Sequence, residues 1–243
     1  MSSIKKEDSS VSLSGTANKW SWEHYKRPEV RDTIIRFCQD GTKQRAFNGD
    51  KGWYISSGNG AVRLRSHEDY EDTASKFRTL YATLDLFDPG VFNTSSPWDE
   101  KAGKPERPIG IFRDCQAYTL GADIDSIGNI IEDPSIKQAV EDTAKFLVGM
   151  LNEAGISKSV HCLYSGGGIY VFIHHALFQA KPEWSPEDRE EAFRSLTGAY
   201  NMFLADAECK FFELHPEHLG KVKIDKINNQ KRKFKCIFSI HKE

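Results

Sequence analysis

Residues 118–126 read YTLGADIDS, an apolar stretch that carries Asp123 and Asp125 near its end. Side chains two positions apart on a β-strand point to the same face, so the stretch predicts a strand that projects both carboxylates together. A hydrated strand end without any function would also explain the pair. The apolar neighbours favour the other interpretation, because charges on a central strand lose hydration and repel each other unless a cation lies between them. The sequence therefore predicts a divalent metal site on this strand.

The chain around this strand predicts an α+β fold. Apolar stripes at helical spacing follow the capping residues near Asp133 and Ser185, whereas apolar runs of strand length lie between and after them. The predicted elements are a strand at 115–124, a helix from 133, strands at 159–164 and 169–173, a helix from 185, and strands at 221–227 and 233–240. This β-α-β-β-α-β order is typical of the ferredoxin-like or RNA-recognition-like (RRM-like) arrangement.

Three regions are predicted along the 243 residues. Residues 1–20 are polar and aperiodic, which predicts a disordered tail. Residues 21–108 predict an N-terminal α/β unit, with an amphipathic helix from Pro28 and a proline-rich loop at its end. Residues 109–243 predict the RRM-like catalytic unit. The two units are expected to pack into one catalytic domain, on its own or within a longer protein.

Composition narrows the class of protein. With 39% hydrophobic residues and a net charge of −2, the chain can bury a sizeable core. It has no run of about 18 apolar residues and no apolar signal-peptide centre, which predicts a cytoplasmic protein without a membrane partner. Five scattered cysteines without a CxxC spacing predict buried free thiols. Cys209, His215 and His218 are potential zinc ligands, but no fourth ligand is spaced to close a site, so structural zinc is not expected.

Charge is spread unevenly, because residues 221–243 hold eight Lys or Arg against two acids. A basic patch on a nearly neutral protein predicts a polyanion bound at one place. One of the two acids, Asp225, ends the apolar stretch VKID. Together with Asp123 and Asp125 it offers three carboxylates from two strands. Such a set can hold two Mg²⁺ or Mn²⁺ ions, which stabilise the attacking and leaving oxygens of a phosphoryl transfer.

A glycine-rich segment, SGGGIY at 165–170, lies between two predicted strands. Three consecutive glycines exceed what a two-residue hairpin turn requires. Backbone N–H groups free of side chains form an anion cradle, so Ser165, Gly166 and Gly167 are candidate phosphate ligands. A hairpin that only needs positive φ is the competing interpretation. The segment is not a Walker loop, because no Lys-Ser/Thr pair follows it.

The C-terminal segment supplies candidate cations. Arg232, Lys235, Ser239 and His241 are predicted to border the metal site, where cations would neutralise a triphosphate. The alternation in KFKCIFSI would put Lys235 and Ser239 on one face of a strand. An ordinary basic surface strand would show the same alternation.

These stretches together resemble the archaeo-eukaryotic primase superfamily, in particular its catalytic small subunit and the primase-polymerases of archaeal plasmids or viruses. Three motifs occur in the family's order: ADID as its acidic strand, SGGGIY as its SGxGxH-like hairpin, and RKFKCIFSIH after a late aspartate. Weaker similarity covers RPEVRDTIIRFCQD and RAFN, so the likeness spans most of residues 25–243. One position departs from the pattern, since Tyr170 stands where the family usually has histidine. The family's zinc-stem cysteines and histidines are not evident.

The resemblance implies a primase-polymerase fold and a DNA-dependent nucleotidyltransferase that makes primers for DNA replication. It implies a single-stranded DNA template, ribo- or deoxynucleoside triphosphates as substrates, and a large primase subunit or a fused helicase domain as partner. By resemblance the two metal ions are held by Asp123, Asp125 and Asp225. The implied nucleotide-binding residues are Arg45, Ser165, Gly166, Gly167, Tyr170, Arg232, Lys235, Ser239 and His241.

Two other functions fit part of the sequence. A rolling-circle initiation nuclease shares the ferredoxin-like plan, but needs two metal-binding histidines around one apolar residue. The pair His174-His175 is adjacent and would alternate across a strand. A non-catalytic module for single-stranded nucleic acid would instead present aromatic residues on an open sheet, and three central acids oppose that function.

Overall fold

The computed structural model describes residues 13–49, 62–64, 66–93, 98–99, 104–105, 112–226, 228–229 and 232–240. These residues form a mixed α+β protein whose sheets are antiparallel. Its α-helices, within the described ranges, are α1 (Lys19–Tyr25), α2 (Pro28–Cys38), α3 (His67–Ala74), α4 (Pro134–Glu153) and α5 (Pro186–Leu214). Short 3₁₀ helices occupy Pro89–Asn93, His175–Leu177 and Pro216–His218. Among the described residues, none of the helices combines the length and the hydropathy that a membrane span requires.

The strands are short, apart from the four that form the sheet of the C-terminal half. In chain order they are β1 (Gln39–Asp40), β2 (Lys43–Gln44), β3 (Ala46–Asn48), β4 (Val62–Arg63), β5 (Tyr81–Thr83), β6 (Asp85–Phe87), β7 (Trp98–Asp99), β8 (Lys104–Pro105), β9 (Cys115–Tyr118), β10 (Leu120–Ser126), β11 (Val160–Tyr164), β12 (Gly168–Ile173), β13 (Val222–Asp225) and β14 (Lys233–Lys235).

The sheet of the C-terminal half has the order β11-β12-β10-β13, with every neighbouring pair antiparallel. Along the chain its elements run β10-α4-β11-β12-α5-β13, so the predicted β-α-β-β-α-β order is present. One face of the sheet is covered by α4 and α5, because Ile124, Val171 and Ile224 share a buried apolar cluster with Leu147 of α4 and Leu204 of α5. The other face therefore remains available for the polar side chains.

That second face is partly covered by an aromatic group. Phe234 of β14 packs edge-on against Tyr170 and Phe172 of β12, with ring centroids 4.9 and 5.2 Å apart. Gly121 of β10 lies beneath them, and a Cβ there would stand 3.1 Å from the Phe172 ring and 3.3 Å from Phe234. Glycine at this position lets the rings pack directly on the strand.

The C-terminal strand lies in a different sheet from the one its position predicts. β14 pairs with β5 in the sheet of order β14-β5-β3-β4, so it belongs with the N-terminal half and not with residues 109–226. Strand geometry ends at Lys235, because the chain turns at 237–238 and Phe238 takes a φ of +62°. Cys236 and Ile240 then join the buried N-terminal cluster around Ile34. The predicted strand at 233–240 is therefore wrong beyond Lys235.

The strand predicted at 115–124 is interrupted in the structure. It divides at Thr119 into β9, which pairs with β6, and β10. A second interruption lies nearby at Leu84, between β5 and β6. At both breaks the backbone changes sheet, and the Arg45 guanidinium donates to the Thr83 and Leu84 carbonyls and to the Thr119 hydroxyl. The guanidinium thus supplies donors where strand pairing is interrupted, and the Leu84 carbonyl also accepts from the Thr119 N–H at 3.1 Å.

Part of the predicted disordered tail is structured. Residues 1–12 lie outside the described ranges, whereas residues 13–18 contact the segment that follows α3: the Thr16 N–H donates to the Lys76 carbonyl at 2.9 Å. α1 then begins at Lys19 behind an Asn18 capping box. Most of the predicted proline-rich loop at 88–108 also lies outside the described residues.

Candidate active site

Three aspartates meet on the open face of the C-terminal sheet. Asp123 and Asp125 lie two apart on β10, and Asp225 on β13 is directly opposite Asp123 in the antiparallel register. One carboxylate oxygen from each lies within 4.8 Å of the others. The predicted convergence of three carboxylates from two strands is therefore confirmed. Its cause is local, because residues that face each other across an antiparallel pair project on the same side.

Asp123 is the buried member of this acidic cluster, defined as Asp123, Asp125 and Asp225. Burial, followed by the repulsion of Asp125, raises its pKa to about 7, although the nearby Arg232 acts in the opposite direction. Its Oδ1 is buried and has no hydrogen-bond partner among the described residues. An orphaned carboxylate oxygen beside two more carboxylates fits a hard divalent cation with oxygen ligands, such as Mg²⁺ or Mn²⁺.

Lys223 is a member of the site that the sequence interpretation missed. Its Nζ lies 3.1 Å from Asp225 Oδ1 and 3.6 Å from Asp125 Oδ2. The signal was present in the sequence, because Lys223 precedes Asp225 by two residues and so shares its face of β13. Lys223 thus supplies countercharge to the two more exposed aspartates.

The glycine hairpin between β11 and β12 has steric reasons for two of its glycines. Gly166 has a φ of +103°, and a Cβ on Gly168 would stand 2.0 Å from the Ile124 carbonyl oxygen of the neighbouring strand. Gly167 differs, since its Cβ would meet only the Ser126 Oγ, at 3.6 Å. The hairpin therefore requires Gly166 and Gly168 for its shape, whereas packing does not require glycine at 167.

Two cations connect the C-terminal segment to the site. The Arg232 guanidinium lies 3.5 Å from Asp123 Oδ2, and Lys235 Nζ donates to the Ser165 carbonyl at 2.9 Å. Tyr170 lies opposite Asp123 on β12. Burial, together with the two aspartates nearby, raises the pKa of its phenol, which therefore stays neutral. The structure thus brings together the acidic cluster, the glycine hairpin, Arg232 and Lys235.

Two predicted nucleotide ligands do not face this site. Arg45 is buried, and its donors go to the carbonyls of Phe37, Thr83 and Leu84 and to Thr119, so no N–H group is directed to a phosphate. The Ser239 hydroxyl accepts the Leu80 N–H at 2.7 Å, because the turn at 237–238 directs it into the N-terminal half. The structure thus places neither side chain at the acidic cluster. His241 lies outside the described residues.

Asn228 holds the connection between β13 and Arg232. Its side-chain amide accepts from the Gly121 N–H at 2.9 Å and donates to the Gly121 carbonyl at 2.8 Å. This amide continues the pairing with β10 where the backbone of β13 no longer does. Asn201 of α5 accepts from the same amide at 3.0 Å. An asparagine in a polar loop gives no signal of such a role in the sequence.

A cavity of about 460 Å³ opens between the two halves, next to Phe172. His174 and His175 lie at its wall with ring centroids 4.0 Å apart, because β12 ends at Ile173 and the expected alternation of the two rings stops there. His175 contacts Asp40 at 2.9 Å, while burial and the neighbouring Arg45 lower its pKa to about 4. His175 is therefore a neutral, buried imidazole that contacts one carboxylate, which is typical of a structural histidine.

Comparison with protein-family models and with curated proteins finds no match. Among solved structures, the chain is similar to the polymerase domain from Mycobacterium tuberculosis ligase D in complex with DNA. The similarity covers 84% of this chain and 61% of that one, with a TM-score of 0.44 and 12% sequence identity. The chain thus spans 61% of the length of that domain, and likeness at this level assigns no role to any residue.

Proposed function

We propose that the protein is a metal-dependent nucleotidyltransferase of the primase-polymerase type, which joins nucleoside triphosphates on a single-stranded DNA template. The observation that carries this proposal is the acidic cluster, in which three carboxylates converge within 4.8 Å and one buried oxygen has no partner among the described residues. The ordered motifs of the sequence point to the same class of reaction.

The acidic cluster would hold two Mg²⁺ or Mn²⁺ ions through Asp123, Asp125 and Asp225. When bound, such ions lower the pKa of an attacking hydroxyl and neutralise charge on the leaving phosphates. The protein's part is to present the carboxylates in a fixed arrangement, which the β10–β13 register provides. Lys223 would give up its carboxylate contacts as the ions bind.

Triphosphate would lie between the acidic cluster and the glycine hairpin. Arg232 and Lys235 flank that space, and the Ser165 hydroxyl with the N–H groups of Gly166 and Gly167 would complete the contacts. Charged donors are the strongest phosphate ligands in such a set. Tyr170 would contribute a neutral hydroxyl. His241 stays in this proposal as a candidate contact.

The covered aromatic face argues against a non-catalytic binding module. Tyr170 and Phe172 are buried under Phe234, so they offer no stacking platform for bases. The buried His175, bonded to Asp40, likewise argues against the rolling-circle nuclease, whose two histidines must share a metal ion. Neither alternative has a specific observation in its favour.

Synthesis on a single-stranded DNA template tests the proposal, with and without a primer. Labelled ribo- and deoxynucleoside triphosphates are supplied in parallel, with Mg²⁺ or Mn²⁺, and product lengths are resolved on a gel. We expect template-dependent products that Asp225→Asn reduces by roughly 100-fold or more, as when a group that acts in the transition state is lost. Asp206→Asn, an exposed aspartate of α5, is the matched control and should leave the rate unchanged.

Four outcomes would reject the proposal. Wild-type protein that makes no product with either metal and either nucleotide class would do so. Full activity of Asp225→Asn would show that the acidic cluster takes no part in the reaction. A covalent protein–DNA adduct would support the nuclease, whereas DNA binding that ignores divalent ions, without synthesis, would support the binding module.

A further inference from the structure

A second cluster of metal-binding groups lies on the far side of the molecule's C-terminal half, where α5 ends. His215 closes α5, and the 3₁₀ helix Pro216–His218 follows it directly. Ligand atoms of His215, Glu217 and His218 all lie within 4.8 Å of one another. Asp142 of α4 lies beside His218, since its Oδ2 is 3.3 Å from His218 Nε2, but it is not within 4.8 Å of all three ligand atoms. Three potential ligands thus come from the end of α5 and the turn after it.

The separations between these atoms are compatible with a shared ion. His215 Nδ1 is 3.3 Å from Glu217 Oε1, and His218 Nε2 is 3.9 Å from the same oxygen. Two ligands on one tetrahedral zinc ion, each bonded at 2.0–2.2 Å, stand about 3.4 Å apart. The two measured distances lie on either side of that value.

The surroundings hold the two imidazole rings in position. The backbone N–H of His218 donates to the His215 carbonyl at 3.0 Å. The Phe211 ring lies against both imidazoles, with centroids 4.9 Å from His215 and 5.7 Å from His218. His218 is buried, and its Nδ1 has no hydrogen-bond partner among the described residues. The ring is therefore anchored on its Nε2 side, toward Asp142 and Glu217.

We propose that His215, Glu217 and His218 form a zinc site, with a fourth position open to water, that fixes the connection between α5 and β13. Two imidazoles with one carboxylate select Zn²⁺ over Mg²⁺, which prefers ligation by oxygen alone. Cys209, which the sequence grouped with the two histidines, is exposed on α5 and does not belong to this ligand group. The proposal differs from the sequence-based expectation that structural zinc is absent, because Glu217 takes the place of Cys209 as the third ligand.

Cobalt substitution tests this site independently of any catalytic activity. Protein freed of metal with EDTA is titrated with Co²⁺, and the visible absorption of a tetrahedral complex is followed. We expect one equivalent to produce tetrahedral bands, Zn²⁺ to abolish them, and His215→Ala to weaken this binding by roughly 10- to 100-fold or more. His215 is partly exposed, so this variant keeps the fold, which its melting temperature without metal checks. Cys209→Ala and Asp225→Asn are the matched controls and should show the same tetrahedral bands as the wild type.

Thermal unfolding gives the second measurement. Zn²⁺ at about 100 times its Kd should raise the melting temperature by roughly 5–10 °C in the wild type and in Asp225→Asn, but not in His215→Ala. Absence of tetrahedral bands would overturn the proposal. So would bands and a thermal shift that survive His215→Ala, or that disappear with Cys209→Ala or Asp225→Asn.

Discussion

Arg45, between β2 and β3, and Asp123, on β10, both hold a charged group away from solvent, with 3% and 6% of their surface exposed. Every donor group of Arg45 meets an acceptor from the chain itself. Asp123 instead keeps a buried oxygen without a partner among the described residues, next to two like charges. A charge that the chain satisfies stabilises the fold, whereas one that it leaves unsatisfied indicates a ligand site.

Asp85 sharpens this distinction. Both of its carboxylate oxygens are buried without a hydrogen-bond partner among the described residues, as at Asp123. Asp85 is fully enclosed, however, and burial raises the pKa of its carboxyl group well above the usual range, although Arg45 acts in the opposite direction. An unsatisfied group indicates a ligand site only where the ligand can reach it, and the face that carries Asp125 and Asp225 is open.

Removing Arg45 should produce the largest change. Arg45→Met removes all the bonds of the buried guanidinium, although the Leu84 carbonyl keeps a second donor, the Thr119 N–H. We therefore expect a loss of about 3–5 kcal/mol in the free energy of unfolding. Urea denaturation measures it. The matched control is Arg232→Met, which removes a half-exposed cation beside Asp123 and should cost less than about 1 kcal/mol. Equal losses in the two variants would contradict the distinction between the two regions.

The glycine hairpin gives the next effect. Gly168→Ala forces a methyl group against the Ile124 carbonyl, so we expect a loss of about 1–3 kcal/mol in stability. Gly167→Ala has room for its methyl group and should unfold like the wild type. If Gly166 and Gly167 cradle phosphate, Gly167→Ala will still weaken nucleotide binding several-fold, measured by calorimetry. Unchanged nucleotide affinity would show that the hairpin connects two strands without binding phosphate.

The pH dependence of stability tests whether folding raises the pKa of Asp123. Its folded pKa of about 7 exceeds the ordinary value of 3.8, so the folded state binds the extra proton, and stability falls as pH rises from about 4 to 7. Asp123→Asn abolishes this loss. In metal-free buffer we expect its stabilisation to be about 2 kcal/mol greater at pH 8 than at pH 5, measured by urea denaturation. A stabilisation that is the same at both pH values would show that folding does not raise the pKa of the Asp123 carboxyl group.

Lys223 should have the smallest effect. Lys223→Met removes a cation that competes with metal ions for Asp125 and Asp225, so Mn²⁺ affinity should rise by roughly 5-fold. Isothermal titration calorimetry at two salt concentrations measures it, and the gain should shrink at high salt. Weaker Mn²⁺ binding would instead show that Lys223 positions the carboxylates.

Much of this architecture could be predicted from residue patterns. α2, α4, α5 and the strands β10 to β13 follow from periodicity and capping, and the same-face rule with antiparallel pairing brings Asp225 to Asp123. Periodicity does not show which sheet a strand joins. The pattern therefore predicts β14 in the C-terminal sheet, whereas the structure pairs it with β5 of the N-terminal half. The alternation in KFKCIF suits either sheet, and the pairing with β5 decides it.

The two predicted site residues that lie away from the acidic cluster, Arg45 and Ser239, share a physical cause. A lone arginine has no periodicity that reveals burial, and the role of Arg45 depends on strand breaks at Leu84 and Thr119 that only the tertiary structure creates. Strand alternation extended past Lys235 predicts Ser239 on the face of the site. In the structure the strand ends at Lys235, and the chain then turns. Side chains within one strand could be predicted, whereas those beyond its end could not.

The binding of Mn²⁺ to the acidic cluster tests the central claim most directly. Electron paramagnetic resonance measures free Mn²⁺ during a titration at pH 8, with His215→Ala as the background so that the second cluster does not contribute. We expect saturable binding that Asp225→Asn weakens by roughly 10-fold or more while its unfolding curve stays cooperative. Equal Mn²⁺ binding with and without the Asp225 carboxylate would contradict the account, because the three aspartates would then hold no ion.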